Sequence, residues 1–268
     1  MIRLIVVGLL ALLYSGVQAA AFDQSAWDGL LKAHVSSLRN GQATQVDYAA
    51  FARERNQLKQ YLAGVSGVTT SDFERWEPPA QLAFLINAYN AFTVELVLTG
   101  YPDVASIKDL GSLLRSPWKK RFIPLLGDTR SLDDIEHGLI RGSGRYNEPR
   151  VHFALNCASI GCPALRAEAF TGERLDAQLE DAAHAFLSDR TRNRLDGKAL
   201  QVSSIFKWYR GDFEKGWRGA DNLAMFLLLY RQPLGLDDNA ANRLRAGEMK
   251  IHFLDYDWGL NGKTTRTP

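Results

Sequence analysis

The chemistry this chain can attempt is concentrated around two cysteines, Cys157 and Cys162, in the run Leu155-Asn156-Cys157-Ala158-Ser159-Ile160-Gly161-Cys162-Pro163. Thiol catalysis needs a thiolate, a base within hydrogen-bond reach and a group that orients the base. Cys157 follows the apolar run Val151 to Leu155, which reads as a buried strand ending beside a sharp turn. His152 is its nearest histidine, but in a regular strand residues 151, 153, 155 and 157 share one face, and His152 and Asn156 share the other. His137, with Glu136 beside it on a separate short helix, is therefore the freer base. The candidate triad is Cys157, His137 and either Glu136 or an asparagine such as Asn87; His152 with Asn156 enters if the strand bends. The competing chemistry is a structural disulfide, since an oxidising compartment joins such pairs and a tight turn can bring their Cα atoms within about 7 Å.

Other chemistry has weaker support. Neither the cysteine spacing nor the histidine spacing forms a zinc pattern. A metal would require His152, His252, Asp255 and Asp257 to converge, and Asp255-Tyr256-Asp257-Trp258-Gly259 reads more simply as a turn. His34 and His184 fall on amphipathic helices as surface or boundary residues. Ser159 lacks the left-hand half of a nucleophile elbow. No glycine-rich phosphate loop occurs, so no cofactor is expected. The basic cluster Trp118-Lys119-Lys120-Arg121-Phe122 could touch phosphates, but lysines commonly protect a strand edge. A formal charge of +2 argues against a dedicated nucleic-acid or anionic-membrane surface.

The positioning elements follow from periodicity. Apolar residues at helical spacing predict helices over Asp23 to Leu38, broken by Asn40-Gly41, and over Tyr48 to Val65. Pro78-Pro79 opens a helix apolar on too many sides to have a wet face. It is interrupted by Asn87 and Asn90, which either tie a loop to the core or line a site. Trp118 to Leu126 reads as a hairpin strand closing on Gly127-Asp128. Ser131 and Asp134 resemble a capping box opening the helix that carries Glu136 and His137. Further expectations are a helix near Glu173 to Leu187, a short strand Leu200 to Val202, a segment capped by Ser203 or Ser204, a helix over Asp221 to Arg231 and a closing strand Ile251 to Leu254. Helices dominate the first half and strands appear from the middle onward. The fold class is α+β, a single compact domain with a helix-rich N-terminal half and a small, mostly antiparallel sheet in the C-terminal half.

The N-terminus supplies the compartment. Arg3 precedes an apolar run from Leu4 to Tyr14, then Ser15, Gly16 and the small-residue stretch Val17-Gln18-Ala19. That pattern predicts a cleavable signal peptide over residues 1–19 and a mature domain over 20–268, periplasmic or secreted. The run is too short to span a bilayer, which takes roughly 20 residues. With no cysteine near the cleavage point, a lipoprotein is not expected, nor a transmembrane anchor after cleavage. The 46% hydrophobic and 23% charged composition is that of an ordinary globular domain.

The motifs FLINAYNAFTVELVL, SPWKKRF, SLDDIEHGLIR, VHFALNCASIGCPALR, SSIFKWYRGDF and FLDYDWGLN, in that order from about Val46 to Asn261, resemble the DUF547 family, whose function is poorly defined. The resemblance implies a distant kinship with papain-like and transglutaminase-like cysteine enzymes. On that basis the expected function is a cysteine-dependent hydrolase or acyl transferase, and the alternative is a non-enzymatic binding or scaffold domain with a structural Cys157–Cys162 disulfide. The sequence names no partner.

Overall fold

The computed structural model describes residues 21–112 and 115–263. The expected signal peptide, residues 1–19, lies outside them.

Helix α1 (Ser25–His34) buries Trp27, Leu30 and Leu31 and then stops earlier than its apolar spacing suggests. Strand β1 (Val35–Leu38) replaces its last turn and pairs antiparallel with β2 (Ala43–Val46), Val35 opposite Val46 and Leu38 opposite Ala43. The turn explains the change. Arg39 and Asn40 adopt positive φ, and asparagine tolerates that region better than most residues, so Asn40-Gly41 turns the chain back on itself. His34, at the end of α1, is buried rather than at the surface, with Nε2 3.0 Å from the Glu54 carboxylate. The predicted helix Tyr48 to Val65 is two, α2 (Tyr48–Arg53) and α3 (Arg55–Gly67), broken at Glu54. A short helix, α4 (Thr70–Glu74), follows.

Helix α5 (Pro78–Leu98) is the axis of the fold. Proline in its first turn starts it without losing a hydrogen bond, and residues on every side are buried. It is long and apolar enough to cross a membrane, but 94% of that stretch is packed inside the protein, so it is a core helix. A large apolar cluster forms around it.

Beyond α5, β3 (Ile123–Leu125) and β4 (Asp128–Arg130) form the hairpin expected at Gly127-Asp128, although residues 117–119 are a 3₁₀ turn rather than strand. Lys119, Lys120 and Arg121 are exposed, as a solvated edge requires. Ser131 Oγ accepts the Asp134 N–H at 3.1 Å, and Asp134 accepts the Ser131 N–H at 2.8 Å, so the capping box forms despite the short acid. It opens a wide π-type helix over Asp134–Arg141.

The apolar run Val151 to Cys157 is not a strand. Pro149–Phe153 is a 3₁₀ turn, and irregular backbone follows it. A short buried apolar run fits a strand or a buried turn equally well, and the proline at its start with Glu148 capping the Arg150 N–H selects the turn. Helix α6 (Leu175–Ser188) matches its expectation closely. Strand β5 (Arg194–Asp196) then pairs antiparallel with β6 (Ala199–Ser203). After the short helices α7 (Ile205–Trp208) and α8 (Arg210–Phe213), α9 (Leu223–Leu229) and α10 (Asp238–Arg245), the closing β7 (Lys250–Leu254) runs parallel to β6. A parallel pair needs such a long crossover. The domain is α+β, helix-rich in its first half; its named strand pairs are antiparallel apart from β6–β7, and two hairpins, β1–β2 and β3–β4, lie in the N-terminal half.

A second apolar cluster, built on Phe153, Phe186, Phe206, Phe213 and Phe226, fills the C-terminal half. Val151, Ala154 and Leu155 belong to the first cluster and Phe153 to the second. The turn before Cys157 therefore pins the seam between the two.

Candidate functional site

A cavity of about 160 Å³ opens at that seam and gathers Glu136, His137, His152 and Cys157. Asn87 is not among its lining residues. Its amide donates to the Phe170 carbonyl at 2.8 Å and accepts the Phe170 N–H at 3.0 Å. Asn90 does the same one turn on, donating to the Ala154 carbonyl and accepting the Asn156 N–H. Each side-chain amide acts as a strand partner for a passing loop, which satisfies buried groups that would otherwise cost about 1–3 kcal/mol apiece. Asn90 thereby fixes the backbone entering the cysteine loop.

Asn156 fixes the far side of that loop, donating to the Pro163 carbonyl at 2.7 Å and accepting the Ala158 N–H at 2.9 Å. Ala158 sits at a φ of 62°, a strained value for a residue with a side chain. Within the loop, Cys157 and Cys162 are joined by a disulfide with Cα atoms 6.0 Å apart. Cys157 Sγ lies 3.1 Å from both the Ser159 and Tyr256 hydroxyls, and Cys162 Sγ accepts the Cys157 N–H at 2.7 Å. Among the described residues no imidazole hydrogen-bonds to either sulfur.

The histidines are engaged elsewhere. Because the run 151–157 is a turn, the alternation argument against His152 does not apply, and its ring reaches the cavity that Cys157 lines. His152 is buried, with Nε2 2.9 Å from Asp212 Oδ2 and the Tyr209 ring stacked on it at 4.0 Å. Burial pushes its pKa down, against the opposing pull of Asp212. Burial would raise the Asp212 carboxyl, but hydrogen bonds from His152, Arg141 and Lys215 outweigh it and hold the group far below the usual carboxylate range. With Asp212 ionised, Nε2 carries the imidazole proton and Nδ1 holds the free lone pair. His137 is the less free of the two, contrary to the sequence expectation. Arg141 occupies its Nδ1 at 2.6 Å, and its Nε2 is 3.8 Å from Asp133. An arginine only donates, so His137 Nδ1 must accept and has no lone pair left for a substrate proton.

Glu136 is 6% exposed and has no cation within ion-pair distance among the described residues. Burial, with Glu136 adding to it, raises the Tyr89 and Tyr209 phenols. Asp133 is half-buried and its carboxyl is raised, first by desolvation, with His137 opposing. The same lining holds Trp208, Tyr256 and Trp258, with Tyr256–Trp258 ring centroids 4.5 Å apart and Trp208–Trp258 5.7 Å apart. Burial pushes the Tyr256 phenol up to about 12.

The sequence reading missed Asp133, Asp212 and this aromatic wall. The signal for Asp212 and the aromatic wall was the crowding of aromatic and acidic residues in KWYRGDF and DYDWG, read there as core and turn, whereas Asp133 lies three residues before Glu136. The Asp255–Gly259 turn does form, with Asp257 accepting the Gly259 N–H at 2.9 Å. His252, Asp255 and Asp257 are exposed while His152 is buried, and no group of metal-binding side chains converges among the described residues. His184 is at the surface as expected.

Comparison with known families gives one match, the model described as "Protein of unknown function, DUF547", over residues 73–187. The match takes in α5, the π-type helix, the cysteine loop and most of α6; the motifs carrying Asp212 and Tyr256 lie beyond it. No curated protein and no solved structure shows significant similarity to the chain.

Proposed function

We propose that the domain, which matches the DUF547 family model over residues 73–187, is an exported ligand-binding module whose cavity is shaped by the Cys157–Cys162 bridge; the description of that family carries no activity. The supporting observation is the state of the sulfurs. Cys157 is bonded to Cys162 and no imidazole hydrogen-bonds to it among the described residues, so the group a thiol enzyme needs is occupied. The cavity around it is preformed, with aromatic walls and a few converging polar groups, which is the usual character of a small-molecule site. Its volume is comparable to the roughly 150 Å³ that admits a benzene ring in a protein interior. A disulfide also fits export, because such bonds persist in oxidising compartments. Intact mass of the protein recovered from its native compartment tests export: the expected N-terminus is near residue 20, and a retained Met1 contradicts it.

A second reading rests on the His152–Asp212 couple. Reduction would free Cys157 in the same cavity as an oriented imidazole, the parts of a thiol hydrolase or acyl transferase. The assay that separates the two follows 4-nitrophenyl acetate hydrolysis by unreduced and reduced protein. The binding module predicts that wild type and Cys157→Ser release nitrophenol equally in both states. A stoichiometric burst needing Cys157 and His152 would replace it with the enzyme.

A further inference from the structure

We infer that the cavity takes a protonated amine, held against the Glu136 carboxylate and seated among the Trp208, Tyr256 and Trp258 rings. The inference names the ligand class of the same cavity and rests on reading it as a binding site.

Two independent features point to a cation. The first is Glu136, nine-tenths buried, lining the cavity and lacking a cationic partner among the described residues. Buried carboxylates are ordinarily paired, because desolvating an ion is expensive. Arg141, one helical turn along the same segment, is committed to Asp212 and His137, so the groups beside Glu136 are the Tyr89 and Tyr209 phenols rather than a cation. Asp133 adds a second carboxylate to the same lining. It faces the His137 ring at 3.8 Å, and its other nearby cation, Lys119, is exposed.

The second feature is the aromatic part of the same lining. Aromatic faces carry negative charge density and attract ammonium groups, more strongly where water is excluded. Three mutually packed rings are offered here, and Trp208 is 47% exposed, an unusual position for an indole with no binding role. One of these rings already carries a cation: Lys108 Nζ sits 3.7 Å over the Trp258 ring. Lys108 is not part of the cavity lining. A cavity of about 160 Å³ suits a group the size of a benzylammonium or a short alkylammonium.

The test is calorimetric titration of the full mature chain, unreduced, with benzylammonium and with its neutral near-isostere benzyl alcohol. The expected result is at least tenfold tighter binding of the ammonium, on the order expected for a desolvated charge pair with cation–π contact. Glu136→Gln, shown to be folded by its near-ultraviolet circular dichroism, should lose at least about tenfold in affinity. Trp208→Leu, at an exposed position, should lose about threefold and provides the readout if Glu136→Gln fails to fold. Benzyl alcohol binding as tightly as benzylammonium would overturn the cation preference and leave the cavity a binding site. Absence of heat with either probe would overturn both.

Discussion

Arg150 and Glu136 are both buried charges beside the same 3₁₀ turn, and they are treated in opposite ways. Arg150, two residues before His152, reaches Glu148 at 2.6 Å, Asp176 at 2.6 Å and Glu180 at 2.7 Å. Burial alone would lower its pKa, but the hydrogen bonds to Glu148 and Asp176 reverse this and raise it. Glu136 has no such company. The first arrangement is scaffold: every donor is spoken for and no surface is left for a ligand. The second leaves a buried carboxyl with the Tyr89 and Tyr209 phenols beside it but no cation within ion-pair distance among the described residues. An unmatched buried charge at a cavity is where a protein forgoes stability for function.

That contrast can be broken by experiment. Arg150→Met should destabilise by about 3 kcal/mol in urea unfolding, because removing one member of a buried ionic network strands the others; a loss under 1 kcal/mol would mean Arg150 is no more important than a surface charge. Asn87→Ala should cost about 2 kcal/mol through the stranded Phe170 backbone groups, with benzylammonium affinity unchanged. A change in affinity would return Asn87 to the site. Glu136→Gln should leave stability unchanged or raise it by about 1 kcal/mol, the reverse sign to Arg150→Met, since it removes an unpaired charge. At the small end, Lys32→Ala on the exposed pair with Asp28 should change stability by under about 0.5 kcal/mol.

Acid tests the His152–Asp212 couple. Both pKa values are depressed by folding, so in each case the unfolded chain binds the proton more readily and stability falls as pH falls. The histidine contribution should begin to be lost below about 6.5 and the aspartate contribution below about 3.9, their unfolded values. Asp133, raised by burial, works with the opposite sign, its contribution lost as pH rises. Melting temperatures from pH 8 to 3 should show two descending limbs, and His152→Gln should flatten the upper one. An unchanged upper limb would show that His152 does not titrate on folding.

Much of the frame was legible in the sequence because it depends on local signals. Pro78-Pro79 and an all-round apolar run specify α5, and Ser131 with Asp134 specifies the start of the helix carrying Glu136. The two asparagines of α5 announced buried amides, and tying loops to the core is what they do. The reading failed where partners are distant in sequence. Val151 to Cys157 has the composition of a strand, yet finds no strand to pair with and folds as a turn held by Asn90. His137 looked free because the claim Arg141 makes on its ring is a matter of side-chain direction. Asp212 was invisible as the partner of His152, sixty residues away. Four of the six nominated residues line one cavity, but which histidine is oriented, and by what, emerged only in three dimensions.

The most direct test of the account is the intact mass of the mature protein after exposure to iodoacetamide, with and without prior reduction. The bridged cavity predicts no adduct before reduction and two after it, at Cys157 and Cys162. Carbamidomethylation of Cys157 in the unreduced protein would contradict it, and would put a free thiol in the cavity that His152 also lines, where the binding module requires a closed wall.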